Sequence, residues 1–390
     1  MATIVTPRAP RSGALDRVRA AAAGLDWILL LAVTAITGFS LFVIARSTET
    51  DIPGNSRFYL DRQILFVAVG VVLMIVATRL NLDRLSRWAW ALWGGLLGSL
   101  AVVYVVGEAA RGSNRWIDIG PFNMQPSEFG KVVLMIVLAG IAVDRLDGVG
   151  TARFTLFLAG IAAVPAAVVF LQPDLGTALV YAVVLAAILF LVGVPWTHFA
   201  VFGSVLAILI LGVLWVLPQS GVTVLQDYQV ERLTAFIGAE RDTSDAGYQL
   251  DQSKTAIGSG GALGKGPDGA TQANNDFLPE HHTDFIFAVT SEMFGFVGGG
   301  LLILLFGLIL WRGLRTMARA SSQVDMLVAG AVLAMFGFQV FVNIGMTVGI
   351  MPITGIPLPL MSYGGSHTLT TFVAVGLLLG IHRRRSAVPG

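Results

Sequence analysis

The 390-residue sequence has no cysteine. That excludes a disulfide framework, a thiolate metal site and a thiol nucleophile. Charge is scarce as well: 13% of residues are Asp, Glu, Lys or Arg, against about 25% in a soluble domain. Lysine is nearly missing, with three among 25 basic residues. The formal net charge is +1, so no overall field points to nucleic acid as a partner. The chain is instead 55% apolar, with a mean hydropathy of +0.77. So little charge with so much hydrophobicity excludes an ordinary soluble globule and a disordered chain. What remains is a polytopic membrane protein.

A bilayer core of about 30 Å needs about 20 apolar residues at a helical rise. Ten stretches meet this: 25–45, 63–79, 88–107, 127–143, 154–171, 175–193, 198–217, 285–311, 325–349 and 367–382. They are continuously apolar and not alternating, so they predict helices and not barrel strands. The expected fold is all-α, with about ten transmembrane helices and a large extracytoplasmic loop. It divides into a basic N-terminus (1–24), a membrane domain (25–382) and a basic tail (383–390). The first span is longer than a signal-peptide core and lacks a small-residue cleavage site, which predicts a retained signal anchor. With the N-terminus in the cytoplasm, fifteen basic residues lie inside and nine outside, four of those nine in one long loop. Both termini are therefore expected inside, with loops 46–62, 108–127, 218–284 and 350–366 on the outer face. Within 218–284, segments 228–238 and 247–257 read as helical. Glycine pairs at Gly94/Gly98, Gly295/Gly299 and Gly376/Gly380 predict close helix packing.

The polar residues gather in the outer loops. Gly258-Ser-Gly-Gly-Ala-Leu-Gly-Lys-Gly266 fails as a nucleotide loop, because Ser259 and Gly266 occupy positions that need Gly and Ser or Thr. A glycine turn explains it, as would backbone amides and Lys265 near a phosphate. Phe277-Leu-Pro-Glu-His-His-Thr-Asp-Phe285 is the densest polar cluster. His and carboxylates are metal ligands, but the spacing matches no known metal motif, so no metal site is assigned. Loop anchoring and general acid/base work both remain open for Glu280 and Asp284. Asp284 stands where loop meets membrane, and partial desolvation would suit it as a base. Glu128 and Lys131 are three apart and share one helix face. Charges inside a membrane usually face a cavity or each other, so a structural ion pair and a headgroup cavity both fit. Gln172-Pro-Asp-Leu-Gly176 leaves Asp174 near the outer surface. Pro352 to Ser366, with three prolines and a double glycine, predict a rigid re-entrant segment. Arg111, Arg115 and Trp116 form a basic-aromatic patch suited to interfacial anchoring or to a lipid phosphate. Together these features suit an amphiphile that is half lipid and half polar and anionic.

Five motifs, in order, resemble the SEDS family of bacterial cell-wall proteins (shape, elongation, division and sporulation). They are Arg115-Trp-Ile-Asp-Ile-Gly120 with Gln125-Pro-Ser-Glu128; Gln172-Pro-Asp-Leu-Gly-Thr-Ala178; Tyr248-Gln with Gln252-Ser253; Phe277 through Phe287; and Pro352 through Ser366. Ile257-Gly-Ser-Gly-Gly261, with Gly264-Lys-Gly266 and Thr271-Gln272, resembles the elongation branch, as does Ile353-Thr-Gly-Ile-Pro-Leu-Pro. Glu292-Met293 departs from the pair of acids expected there.

The resemblance implies a peptidoglycan glycosyltransferase of the inner membrane, its active site facing the periplasm. Its substrate would be lipid II, and undecaprenyl diphosphate would leave as a β-1,4 bond forms. Asp284 is the implied base. Arg111, Arg115, Lys131 and Lys265 are candidates to offset charge on the diphosphate. Glu128 would lie by a cavity open to membrane lipids, and Glu280, Asp174, Ser362 and Ser366 would shape the sugar site. No cofactor is required, although a divalent cation (Mg or Mn) at the diphosphate fits. The implied partners are a class B penicillin-binding protein (a transpeptidase) and elongation-complex proteins. A lipid II flippase, a noncatalytic scaffold and the division-branch polymerase are the competing readings.

Overall fold

The apolar stretches form helices, several of them opened by a polar capping side chain. Asp26 accepts a hydrogen bond from the Leu29 amide at 3.1 Å and opens α1 (Trp27–Ser47). After α2 (Phe58–Ala77), Asn81 caps the short α3 (Leu82–Ser86) through the Arg84 amide. Then come α4 (Ala89–Val106) and α5 (Pro126–Val143), the latter started by a proline in its first turn, where no amide partner is needed. Thr151 caps α6 (Ala152–Leu171) and Asp174 caps α7 (Leu175–Leu191). The remaining helices are α8 (Trp196–Leu211), α9 (Asp245–Gly260), α10 (Thr271–Asn274), α11 (Ile286–Met317), α12 (Gln323–Val348), capped by Ser322, and α13 (Gly365–Ser386). The computed structural model describes residues 24–106, 108–110, 113–120, 122–211, 245–275 and 277–386.

Each of the ten expected spans coincides with a helix, and α9 covers the expected segment 247–257. Segment 228–238 lies outside the described residues. Among the described residues, seven helices are long and apolar enough to cross a membrane, and two shorter apolar ones accompany them. Large apolar side chains stand exposed on their outer faces, Leu31, Val72, Leu156, Phe296 and Leu304 among them. A water-soluble monomer does not carry so much exposed apolar surface, and lipid accounts for it. The chain is a multi-pass membrane protein.

The all-α expectation needs one amendment. Loop 108–127 folds into a three-stranded antiparallel sheet, β1 (Glu108–Ala110), β2 (Ser113–Ile119) and β3 (Phe122–Met124), in that spatial order. Gly120, at φ +69°, makes the turn that pairs Ile117 with Met124.

Helix α5 sits at the centre, packed against α4, α6, α7, α12 and α13. Leu134, Met135, Val137, Leu138, Ala139 and Ala142 on it are wholly buried. The glycine pairs divide. A Cβ on Gly376 would meet the Met74 carbonyl oxygen at 2.4 Å, and one on Gly380 would meet the Thr78 carbonyl at 2.8 Å, so α13 and α2 do pack backbone to backbone. Gly94 and Gly98 have no described neighbour within 4 Å of such a Cβ and mark no close packing. Gly295 is a break in α11, at φ +63° and ψ −162°.

Candidate active site

The segment before α11 is a compact turn. Glu280 adopts φ +54°, a region uncommon for a side chain other than glycine. The bend brings the amides of Thr283 and Phe285 to its carbonyl, at 3.1 and 3.3 Å. The Thr283 hydroxyl donates to the Glu280 carboxylate at 3.0 Å. Asp284 follows, half-buried, two residues before the helix begins.

Three consecutive carbonyls of this turn are held from outside it. The Tyr363 amide donates to His282 O at 2.9 Å. The Ser362 hydroxyl donates to Thr283 O at 2.6 Å and accepts from the Leu358 amide at 2.8 Å. The Asn343 amide group donates to Asp284 O at 2.9 Å and to Ile356 O at 2.8 Å. Segment 349–364 therefore clamps the turn to α12, and its buried Ile353, Ile356, Leu358, Leu360 and Met361 make it the rigid insert that its prolines predict. Burial raises the Tyr363 phenol above its usual range and outweighs the nearby Arg62 guanidinium, so it stays a neutral hydroxyl.

A second polar cluster is buried at the start of α5. Lys131 Nζ lies 2.5 Å from Glu128 Oε1, and His367 Nδ1 lies 3.3 Å from Glu128 Oε2. All three side chains are under 8% exposed. Gln125 donates to Asp174 at 2.7 Å, while its amide donates to the Ser366 hydroxyl at 2.8 Å. Ser366 in turn donates to Asn123 O in β3 at 3.1 Å. Asp174 also caps α7 through the Thr177 amide. Ser362 and Ser366 bracket the double glycine that begins α13, so a few residues of chain connect the clamp on Asp284 to the Glu128 cluster.

Lys265 is placed otherwise. Its ammonium lies 3.1 Å from Glu292, which is fully buried and also accepts from Thr271 and the Gln272 amide. Nor is the glycine segment an anion cradle. Its amides are already used: Gly264 N on Gly260 O, Lys265 N on Glu292 O and Gly266 N on Met293 O. The Phe296 and Val297 amides return to Gly261 O and Ala262 O, so this loop zips onto the broken turn of α11. Arg111 lies outside the described residues, and Arg115 is described by its backbone alone, in β2.

His367, Asn343, Gln125 and Glu292 had no role assigned from their motifs. His367 was the most detectable, as a titratable residue in the first turn of an apolar span. Asn343 is one of few polar residues in α12, buried there with Gln339 and Thr347.

With this geometry in view, comparison with known proteins is decisive. A family profile described as "Cell cycle protein", covering FtsW, RodA and SpoVE, matches residues 25–387. The chain belongs to the FtsW/RodA/SpoVE family, the SEDS proteins. It is 36% identical over 366 residues to the peptidoglycan glycosyltransferase MrdB of Escherichia coli, covering 93% of this chain and 94% of that one. It is 34% identical over 429 residues to the peptidoglycan glycosyltransferase RodA of Treponema pallidum, covering 92% and 98%. Stage V sporulation protein E of Bacillus subtilis is 34% identical over 364 residues, covering 91% and 94%. Among solved structures, a chain from a study of how a peptidoglycan synthase complex coordinates polymerization and crosslinking superposes with a TM-score of 0.78 at 32% identity, covering 93% of this SEDS chain and 99% of that one. The crystal structure of Thermus thermophilus RodA gives 0.67 at 30% identity, covering 93% and 98%.

Proposed function

We propose that this SEDS protein polymerises lipid II into glycan strands as an elongation-branch peptidoglycan glycosyltransferase. The observation that carries the reading is the turn bearing Asp284, tied at three successive carbonyls and joined through α13 to a buried carboxylate–ammonium–imidazole cluster. Near full-length relatives named peptidoglycan glycosyltransferases support it.

In this reading Asp284 takes the proton of the acceptor sugar's 4-hydroxyl as that oxygen attacks the donor's anomeric carbon. The glycosidic bond forms and undecaprenyl diphosphate departs. Catalysis needs Asp284 held in place, and the ties on His282 O, Thr283 O and Asp284 O supply that. Arg111 and Arg115 are assigned to the charge on the leaving diphosphate, while Lys131 and Lys265, each bonded to a buried carboxylate, hold their own clusters. Glu280, Asp174, Ser362 and Ser366 border the sugar site, while the α5 face near Glu128 meets the polyprenyl chain. A divalent cation, Mg or Mn, at the diphosphate belongs to this proposal. So do a class B penicillin-binding protein that crosslinks the strands and the elongation-complex proteins. Both termini are assigned to the cytoplasm and the site to the periplasmic face of the inner membrane.

The test uses purified protein with labelled lipid II, with and without a class B penicillin-binding protein, and Asp284→Asn in parallel. Polymer from the native chain, and a loss of about 10²–10⁴-fold in the variant, is the expected outcome. Polymer from both moves the base elsewhere. No polymer, with lipid II crossing a vesicle bilayer, transfers the case to a flippase, the reading that Glu128 and Lys131 inside a span would then serve.

A further inference from the structure

We infer that Asp51, His281 and His282 form a binding site for a divalent transition-metal cation, zinc by preference, that fastens the loop after α1 to the turn carrying Asp284. The local spacing around His281 and His282 matches no metal motif because the third ligand, Asp51, lies 230 positions before His281 and belongs to none of the motifs. The structure brings one ligand atom from each residue to within 4.8 Å of the others. Asp51 Oδ2 is 3.3 Å from His281 Nε2 and 3.9 Å from His282 Nδ1. Tetrahedral zinc, with bonds of about 2.0–2.1 Å, sets its ligand atoms roughly 3.3 Å apart. The Asp51–His281 separation has that spacing and the Asp51–His282 separation is 3.9 Å, so a small inward shift of His282 would complete the set.

The hydrogen bonding of His281 points the same way. Its Nδ1 lies 3.2 Å from Leu278 O. A carbonyl only accepts, so Nδ1 carries the proton and Nε2 is the nitrogen turned to the Asp51 carboxylate, where a cation would be held by both imidazoles and the carboxylate together. An imidazole whose other nitrogen is fixed by a backbone carbonyl is also the usual arrangement of a metal-ligating histidine. The Asp51 side chain is 10% exposed, and its Oδ1 is buried without a hydrogen-bond partner among the described residues. The His282 ring is steadied against Tyr59, centroid to centroid at 4.4 Å.

Two imidazoles and one carboxylate favour zinc over magnesium, which prefers an all-oxygen shell. Three protein ligands leave the ion a coordination position for water or another oxygen. Because His282 is two residues from Asp284, the ion would fix the turn from the side opposite to Asn343 and Ser362 in sequence, through α1 and its loop.

The inference does not require glycosyl transfer, and its test reads metal directly. The full chain in detergent is stripped with a chelator, refilled with zinc, manganese or magnesium in separate samples, and desalted. The native chain is expected to retain about one zinc per molecule, with a rise in its unfolding temperature, and to show no such response to magnesium. Asp51→Asn and His282→Gln, checked by helical content and elution volume, should retain almost none and lose the shift. Zinc-edge X-ray absorption on the native protein needs no variant and should find two imidazoles with oxygen donors. Zinc retained equally by native and variant chains, an absorption spectrum without imidazole, or no retention by the native chain would overturn the site and leave an imidazolium–carboxylate pair.

Discussion

At the scale of single residues, the site is governed by groups that cannot lose their partners cheaply. Lys131 is 2% exposed and Glu128 6%, and each is the other's closest charge. Removing one member leaves an uncompensated charge in a low-dielectric interior, at a cost of about 3–5 kcal/mol. Glu128→Gln should therefore lower thermal stability in detergent far more than a surface carboxylate does. Lys131→Met added to it should restore part of the loss, as differential scanning fluorimetry of the single and double variants would register. Ser362 gives a subtler case. Its hydroxyl bridges Leu358 N and Thr283 O, and Ser362→Ala leaves both without that partner. One lost bond of this kind costs about 1–3 kcal/mol when the remaining group stays buried. The expected signature is a fall in polymerisation rate, because the bond steadies the turn that carries Asp284.

At the scale of elements, the decisive contacts are between backbones. Helix α13 approaches α2 so closely that Gly376 has no room for a Cβ beside the Met74 carbonyl. Gly376→Val must push the two helices apart and should lower the unfolding temperature or the folded yield, whereas Gly94→Val, in open space, should do neither. Gly295 carries a double constraint: positive φ, and a Cβ position 2.4 Å from Gly264 N. Gly295→Ala should release the loop 260–266, read as faster hydrogen exchange at the Lys265 and Gly266 amides. The helices themselves were legible because each is a long apolar run, four of them opened by a capping side chain, Asp26, Thr151, Asp174 or Ser322. The loop was not. Its glycines resemble an anion-binding turn, and only the position of α11 reveals that their amides are already bonded. Asp284 stands out in its motif as the acid where the outer loop meets the membrane. Its supports, Asn343 and Ser362, needed the tertiary path of segment 349–364 before they had a meaning. The small sheet was missed for a different reason: strands of three to seven residues are too short for alternation to stand out beside ten long apolar runs.

At the scale of the whole molecule, one end of the bundle is locked by two arginine–carboxylate pairs. Arg312 reaches Asp26 through Nε at 2.8 Å and Nη2 at 2.8 Å, and Arg384 reaches Asp325 through Nε at 3.0 Å and Nη2 at 2.7 Å. Arg384 also donates to Leu80 O at 2.6 Å, so it ties α13, α12 and the end of α2 together. Both acids are 1% exposed, and forked guanidinium contacts of this kind are the strong form of ion pair. Arg384→Ala should destabilise the whole bundle by about 3–5 kcal/mol, since it strands a buried carboxylate. Arg384→Lys should recover little, because an ammonium cannot reproduce the fork. Thermal melts of the three chains would decide.

The pairing of Asp26 with Arg312 spans 286 positions, and the Ser40 hydroxyl donates to Met361 O across 321. Order of synthesis therefore runs against order of assembly. The first helix enters the bilayer early, yet the groups that satisfy it are among the last translated. Until then Asp26 lacks the Arg312 guanidinium and Ser40 lacks the Met361 carbonyl. A nascent chain halted before residue 312 presents both, and membrane proteases and chaperones that sense polar groups in the bilayer have a means of telling an unfinished chain from a complete one.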